Sequence, residues 1–183
     1  LNQKQLLSLI ENVDGVLAGD DDFSEAVLKK ACCLKVISKF GVGVDRIDLV
    51  AATRKAIQVT NAPGSNKHAV ADLTIGLMIS AARGIPLANN RVRGGDYKVI
   101  VGRSVYGSTL GVIGLGQIGQ EVVRRVQGFE MRVLAYEPYP DMEFVRKNNV
   151  TLTGLAELMQ EADFITLHLP SLPTTKKMID CEL

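Results

Sequence analysis

The stretch Thr109-Leu-Gly-Val-Ile-Gly-Leu-Gly-Gln-Ile-Gly-Gln-Glu-Val-Val-Arg-Arg-Val126 predicts a buried strand, a glycine turn and an amphipathic helix. The apolar run that ends at Leu115 has the length of a strand. We expect one apolar face of the helix to pack on a sheet, and this face comprises Ile118, Val122, Val126 and Phe129. We expect the polar residues to face water, and these are Gln120, Glu121, Arg124 and Arg125.

Three glycines in this stretch, Gly114, Gly116 and Gly119, have the spacing of a dinucleotide-binding turn. Gly114 permits the tight turn, Gly116 leaves room for a pyrophosphate, and Gly119 lets the helix pack closely on the strand. On spacing alone, a simple turn is about as good an explanation. A second predicted strand at 132–136 ends at Glu137, 18 residues after Gly119, where an acid would accept hydrogen bonds from adenosine ribose hydroxyls. This context favours a nucleotide site.

The composition is that of an ordinary globular protein, with 183 residues, 46% of them hydrophobic and 22% charged, and a net charge of +1. No apolar run has the roughly 18 residues that a membrane span needs, and no basic block indicates nucleic-acid binding. The three cysteines, Cys32, Cys33 and Cys181, fit neither a disulfide framework nor a zinc site. We therefore expect no metal, thiols that are in the core or incidental, and a reducing cytoplasm.

Helical and strand-like runs alternate along the chain, which indicates an α/β fold with parallel sheets. Upstream of the glycine turn, helices are predicted at about 6–10, 23–31 and 46–55, and strands at 13–17, 34–38 and 57–60. Downstream of residue 137, helices are predicted at 142–148 and 154–162, and a strand at 163–168.

Two loops of the first α/β unit are candidates for binding. The backbone amides of the glycine-bearing turn at 40–48 could hold a small anion such as a carboxylate. A tight turn in which Asp45 caps the next helix explains the same pattern about as well. The loop at 61–64 follows the next strand, at the sheet edge where ligands of open α/β sheets bind.

A long helix is predicted at 66–83, and because it is apolar on nearly every face we expect it to be buried between two domains. Its main stripe comprises Val70, Leu73, Leu77, Met78 and Ala81. His68 and Asp72, one turn apart, are expected to form a local pair. His168 has no carboxylate near it in the sequence, so we expect a structural or cofactor-contact role rather than acid/base catalysis.

Several segments together resemble the D-isomer-specific 2-hydroxyacid dehydrogenases, in particular their phosphoglycerate dehydrogenase-like branch. The segments are 34–37, 41–49, 59–64, 69–77, 109–116 and 168–170, followed by Thr175 and Ile179. The resemblance implies a partial flavodoxin-like substrate-binding domain at 1–80 and the first half of a Rossmann-type NAD-binding domain at 81–183, with a linking helix at about 66–93. Because the chain lacks an initial methionine and has only half of a doubly wound domain, we expect a fragment.

The resemblance also assigns residues to ligands. The implied NAD-binding residues are Val42, Gly114, Gly116, Gln117, Ile118, Gly119, Glu137 and Leu169. Gln117 and Ile118 would contact the pyrophosphate mainly through backbone groups, and Leu169 would lie beside the adenosine end. The amides of Val42 and Gly43 would bind the substrate carboxylate.

Three positions depart from the usual pattern of this family. Glu137 stands where Asp is usual, and it still favours NAD over NADP because an acid repels a 2′-phosphate. Asp72 stands where Glu is usual. The acidic run at 20–22 stands where a basic or serine-bearing loop is common, which argues against 3-phosphoglycerate as the substrate.

The family's catalytic groups are an arginine that polarises the keto acid and a histidine with a glutamate partner, and all three would follow Leu183. No catalytic residue is therefore assigned within the chain, which alone would bind NAD poorly and turn nothing over. The implied function of the parent protein is NAD-dependent interconversion of a D-2-hydroxy acid and its 2-keto acid by a cytoplasmic homodimer, without nucleic-acid or membrane partners. The alternative is a non-catalytic NAD-sensing or corepressor-like scaffold on the same fold.

Overall fold

The chain folds into two compact units, Leu1–Asn66 and Lys67–Leu183, in a computed structural model that describes residues 1–172 and 174–180. Each unit has its own sheet, and every strand pairing in both sheets is parallel. The predicted α/β class with parallel sheets is confirmed.

The first unit is a three-stranded sheet flanked by short helices. Its elements in order are α1 (Gln3–Leu9), β1 (Gly15–Ala18), α2 (Glu25–Lys30), β2 (Val36–Lys39), α3 (Leu49–Arg54) and β3 (Gln58–Thr60). β2 lies between β1 and β3. The core is apolar and includes Phe23, Val27, Leu28 and Ile37, which are all fully buried. The sheet therefore presents the ends of β2 and β3, with the loops that follow them, at one edge.

The helix α3 begins three residues later than predicted and has a different cap. Asp48, not Asp45, caps it by accepting a hydrogen bond from the Ala51 N–H at 2.8 Å. The preceding backbone is extended because Ile47 is buried and bridges to Phe23, whose carbonyl accepts from the Asp48 N–H at 3.0 Å. This tertiary pairing takes precedence over the local helical pattern at 46–48.

The second unit is a four-stranded sheet with helices on both faces. Its elements in order are α4 (Lys67–Arg83), α5 (Ile85–Arg93), β4 (Thr109–Ile113), α6 (Gln117–Val126), a 3₁₀ turn (Gln127–Phe129), β5 (Arg132–Tyr136), α7 (Met142–Lys147), β6 (Thr151–Leu152), α8 (Leu155–Glu161) and β7 (Phe164–Leu167). The strand order is β6-β5-β4-β7. β6 was not predicted, since two residues are too few to show a period.

The strand β4 is buried on both faces of this sheet, as its apolar sequence indicates. Val112 packs with Val122 of α6 in one cluster, while Ile113 packs with Leu158 of α8 in another. A Cβ atom on Gly111 would lie 2.5 Å from Leu158 Cδ2, so the absence of a side chain there lets α8 approach the strand. β4 thus fixes the position of the glycine turn that follows it.

The prediction that the long helix α4 is buried is wrong, because most of its faces are exposed or only partly buried. It packs against α6 through a face that contains Ala71, Ile75 and Met78, and only Ala71 is fully buried. Leu73 and Leu77, which we assigned to the buried stripe, are 61% and 60% exposed. The sequence shows that these side chains are apolar, but their period does not show which of them has a packing partner.

The helices α4 and α5 are separated by Gly84, which has a positive φ of 60°. No single helix in the described part of the chain is long and apolar enough to cross a membrane. Taken together, α4 and α5 have the length and apolar composition of a membrane span, but the chain bends by 62° between them.

Glu121 of α6 is buried, which contradicts our prediction that the polar residues of this helix face water. Its carboxylate lies 2.6 Å from Arg124 Nη1, 2.8 Å from Arg125 Nη1 and 3.2 Å from His68 Nδ1. Arg125 also bonds to Asp72 at 2.6 Å, so Asp72 pairs with α6 and not with His68 as predicted. These contacts join the first turns of α4 to the middle of α6.

Opposing effects act on the pKa of Glu121. Burial by itself raises this pKa, but the hydrogen bond from Arg125 and the charges of Arg124 and His68 outweigh it, so the pKa lies below its ordinary value of 4.5. The carboxylate therefore contributes stability that is fully present above the ordinary pKa. This contribution is lost as the pH falls through the lowered pKa.

We expect the substitution Glu121→Gln to lower the free energy of unfolding of the second unit by about 2 kcal/mol at neutral pH, because an amide makes weaker bonds to the arginines. The difference from wild type should shrink as the pH falls below 4.5 toward the lowered pKa of Glu121, because the protonated carboxyl no longer carries the charge. Urea unfolding followed by circular dichroism at neutral pH and at a series of pH values below 4.5 measures this, with Glu143→Gln, at an exposed position of α7, as the control. A penalty that is independent of pH would contradict the assignment.

Candidate functional site

The glycine turn lies at the carboxyl edge of the second sheet, between β4 and α6. Gly114 has a φ of +95°, which favours glycine, and its N–H donates to the Tyr136 carbonyl at 2.9 Å. A Cβ atom on Gly114 would lie 2.7 Å from the His168 carbonyl oxygen and 2.9 Å from Leu169 Cδ2. The residues that follow β5 and β7 therefore close around the turn.

The other two glycines differ in what surrounds them. A Cβ atom on Gly119 would lie 2.2 Å from the Gly114 carbonyl oxygen, so α6 can approach β4 only because this residue has no side chain. At Gly116, by contrast, no atom of the described residues other than its two chain neighbours lies within 4 Å of the Cβ position, and φ is an ordinary −71°. The space beside Gly116 is not needed for packing, and it is accessible to a ligand.

The first turn of α6 points unpaired N–H groups at this space. No side chain of residues 1–172 or 174–180 caps the helix, and its first backbone bond runs from the Gln120 N–H to the Gly116 carbonyl at 2.9 Å. Within the described residues, the N–H groups of Gln117, Ile118 and Gly119 have no acceptor. Such a helix terminus carries partial positive charge and suits a phosphate group.

Glu137 follows β5 and reaches the turn with its carboxylate. Oε2 accepts a hydrogen bond from the Leu115 N–H at 2.9 Å, and Oε1 accepts one from the Tyr139 N–H at 3.1 Å. Each carboxylate oxygen retains a further lone pair, so ribose hydroxyls can still donate to it. The sequence predicts an acid at this edge, but its spacing does not reveal the bond to Leu115.

The residues after β7 contribute packing and one neutral imidazole. Leu169 packs in the cluster that contains Ile113 and Leu158, and it contacts the turn at Gly114. His168 Nε2 lies 2.9 Å from Thr166 Oγ1, and burial lowers the pKa of His168 below its ordinary value of 6.5.

His168 also lines an apolar cavity of about 520 Å³ between α4 and β7. Its ring is therefore neutral at physiological pH and, among the described residues, has no carboxylate partner. These surroundings favour a structural role over acid/base catalysis.

Val42 and Gly43 lie in the first unit, in the loop between β2 and α3. This loop is braced by its neighbour, because Asn61 Nδ2 donates to the Val42 carbonyl at 2.8 Å and the Ala62 N–H donates to the Gly41 carbonyl at 2.9 Å. In the described part of the chain, the N–H groups of Val42 and Gly43 have no acceptor. The loop could therefore hold a small anion. Sequence reasoning located the 61–64 loop but missed the bracing role of Asn61.

The structure brings most of the predicted cofactor residues together in the second unit. These residues are Gly114, Gly116, Gln117, Ile118, Gly119, Glu137 and Leu169. Val42 and Gly43 belong to the first unit, which has its own candidate loop.

The cysteines lie outside both groups. Cys32 and Cys33 are unbonded and exposed in the loop after α2, so they are not core residues, and Cys181 lies outside the described residues. In the same described part of the chain, no cluster of three or more His, Cys, Asp or Glu side chains could hold a metal ion.

We expect Gly116→Val to fold normally and to lose NAD binding, because its side chain would enter only the open space beside the turn. Gly119→Ala should instead destabilise the fold by about 1–3 kcal/mol, because the added methyl would overlap the backbone at Gly114. Thermal unfolding and NADH fluorescence titration of the two variants, made in the full-length protein, separate these effects. Unchanged affinity in folded Gly116→Val would reject the placement of the phosphates.

Comparison with known sequences agrees with this geometry. Residues 75–183 match the family model described as D-isomer specific 2-hydroxyacid dehydrogenase, NAD binding domain. D-3-phosphoglycerate dehydrogenase from Methanocaldococcus jannaschii is 45% identical, and the match covers 100% of this chain and 36% of that protein. Glyoxylate reductase from Korarchaeum cryptofilum is 35% identical, with 97% of this chain and 56% of that protein covered.

Solved structures show the same fold. D-lactate dehydrogenase from Aquifex aeolicus, complexed with NAD and lactic acid, has a TM-score of 0.90 and 29% identity over 99% of this chain and 56% of that one. This chain thus spans between about a third and somewhat over half of the length of these relatives. Because the family model covers more than half of its residues, the chain belongs to the D-isomer-specific 2-hydroxyacid dehydrogenase family.

Proposed function

We propose that the protein containing this chain is an NAD-dependent oxidoreductase that interconverts a D-2-hydroxy acid and its 2-keto acid by hydride transfer. The observation that carries the proposal is the open space at Gly116 in front of the uncapped first turn of α6. This arrangement binds a pyrophosphate through backbone groups, and Glu137 stands where a ribose would follow. Membership in a family of NAD-binding domains supports the same cofactor.

NAD supplies the hydride acceptor when it is bound, and in this proposal several residues of the second unit bind it. Gly114 and Gly119 hold the turn against α6, and Gly116 leaves its backbone accessible. The N–H groups of Gln117 and Ile118 donate to the pyrophosphate. Two further side chains complete the proposed pocket, with Glu137 as acceptor for the ribose hydroxyls and Leu169 as apolar cover for the adenosine.

The proposed substrate is a small 2-hydroxy or 2-keto acid that carries no phosphate. The amides of Val42 and Gly43 supply donors for its carboxylate, and Val42 also faces the cofactor in this proposal. The acidic run at 20–22 disfavours a second anionic group, since Asp20 already pairs with Lys39 at 3.0 Å. The named relatives are dehydrogenases of D-3-phosphoglycerate and D-lactate and a reductase of glyoxylate, which supports a small 2-hydroxy or 2-keto acid as the substrate class.

We place the catalytic arginine and the acid/base histidine with its glutamate outside these 183 residues. Neither histidine of the chain fits the acid/base role. The Glu121 carboxylate beside His68 is held by Arg124 and Arg125 where α4 packs on α6, and His168 is a neutral ring bonded to Thr166. The relatives that match this chain are also much longer than it. The alternative of a non-catalytic sensor or scaffold gains no support from relatives that are named as dehydrogenases and reductases.

We further propose a substrate-binding domain at 1–80 and an NAD-binding domain at 81–183, a division supported by the family match at 75–183. The compact unit begins earlier, at Lys67, because α4 packs on α6. A cytoplasmic homodimer without nucleic-acid or membrane partners completes the proposal. Exposed apolar side chains of α5 and of the segment after it support self-association, and they include Ile85, Leu87, Tyr97, Val99 and Val101.

The proposal is tested with the protein in its full natural length, NAD and a panel of D- and L-2-hydroxy acids that includes 3-phosphoglycerate. We expect NADH absorbance to increase with one or more unphosphorylated D-acids and with none of the L-acids. The 183-residue chain should produce no NADH, and production by this chain alone would contradict the placement of the catalytic groups. Tight NAD binding without turnover of any acid would favour the sensor.

A further inference from the structure

We propose that Glu137 is a positioning residue for the glycine turn, in addition to any contact with ribose. Its bond to the Leu115 N–H ties the part of the site that selects the cofactor to the part that holds its phosphates. This inference rests on the proposed function, because the ligand concerned is the pyrophosphate of NAD.

The carboxylate extends the pairing of two strands by one step. The ladder between β4 and β5 ends where Ile113 lies opposite Tyr136, and the Gly114 N–H then bonds the Tyr136 carbonyl. The next amide along the turn, that of Leu115, has the side chain of Glu137 as its acceptor at 2.9 Å. The Glu137 side chain therefore accepts the hydrogen bond that a backbone carbonyl of β5 would accept if the ladder continued.

The carboxylate is itself held from its own loop. Oε1 accepts from the Tyr139 N–H at 3.1 Å while Oε2 accepts from Leu115, so backbone donors from two segments fix its orientation. The Leu115 side chain is buried at 2% exposure, which fixes the other end of the bond. Hydrogen bonds to a charged acceptor are stronger than neutral ones, so this contact restrains the turn more than an amide would.

The restraint acts on the phosphate site because Leu115 immediately precedes Gly116 and the first turn of α6. Without an acceptor the partly buried Leu115 N–H would be unpaired, and the turn would gain other conformations. Binding would then require the turn to be ordered again, which lowers affinity. It follows that replacing Glu137 to admit the 2′-phosphate of NADP also weakens pyrophosphate binding.

A cofactor analogue that lacks the ribose contact separates the two roles. The 2′,3′-dideoxyadenosine analogue of NAD lacks the adenosine ribose 2′- and 3′-hydroxyls, so Glu137 cannot accept hydrogen bonds from them. The charge of Glu137 repels the phosphates, and losing this repulsion would tighten binding, whereas losing the bond to Leu115 would weaken it. With the full-length protein, we expect Glu137→Ala to weaken binding of this analogue by about tenfold, the effect of one charge-assisted bond. Glu137→Gln keeps a neutral acceptor for Leu115 and should recover part of this loss.

The control is Glu143→Ala, on the exposed face of α7, which should leave the affinity unchanged. Equal affinity of wild type and Glu137→Ala for the analogue would show that Glu137 acts on the ribose alone and would overturn the proposal. Equal losses in the alanine and glutamine variants would assign the effect to charge and would also contradict it.

A measurement without cofactor keeps the inference independent of the proposed function. Hydrogen exchange of the Leu115 amide should be several-fold faster in Glu137→Gln than in wild type, because a neutral acceptor protects it less. Unchanged exchange overturns the positioning role even if the alanine variant does not fold. If the wild-type protein binds neither NAD nor the analogue, the proposed function fails, whereas the exchange result still decides the role of Glu137.

Discussion

The second unit depends on the close approach of α6 to β4 at Gly119. A single methyl group there would overlap the backbone of Gly114, so helix and strand can meet at this distance only without a side chain. The contact sets where α6 begins and in which direction its first N–H groups point. The proposed phosphate site therefore depends on this close packing, and it is formed mainly by backbone N–H groups.

Two polar interactions stabilise this geometry, one at the glycine turn and one in the middle of α6. At the turn, the Glu137 carboxylate bonds to the Leu115 amide. In the middle of α6, buried Glu121 joins Arg125 and the first turn of α4, where the chain enters the second unit. The ion pairs of Glu121 also favour one arrangement of α4 on α6, because its carboxylate meets His68 and Arg125 only when the two helices pack in this way.

Much of the fold could be predicted from the sequence because its signals are local. The apolar run of β4, the three glycines and the acid after β5 each follow from backbone geometry over a few residues, and the structure contains all of them. Features that depend on distant partners could not be predicted. Glu121 has the pattern of a solvent-facing residue, and only the cations of α4 and α6 around it explain its burial.

The same limit applies to α4 and to the candidate loops. The apolar composition of α4 suggested burial, yet Leu73 and Leu77 are exposed, because composition does not show which face has a partner. Asp45 and Asp48 are equally good caps by sequence, and the bridge between Phe23 and Ile47 decides for Asp48. The acceptor role of Glu137 toward Leu115 likewise depends on where two segments meet in space.

The proposed role of the second unit depends on whether the uncapped first turn of α6 receives the phosphates of NAD. Hydrogen exchange of the full-length protein with and without NAD tests this placement, because it reports on the individual backbone amides. We expect NAD to slow exchange in the segment 116–119, while exchange in α7 stays unchanged. Protection by NAD at other segments, with unchanged exchange at 116–119, would contradict it.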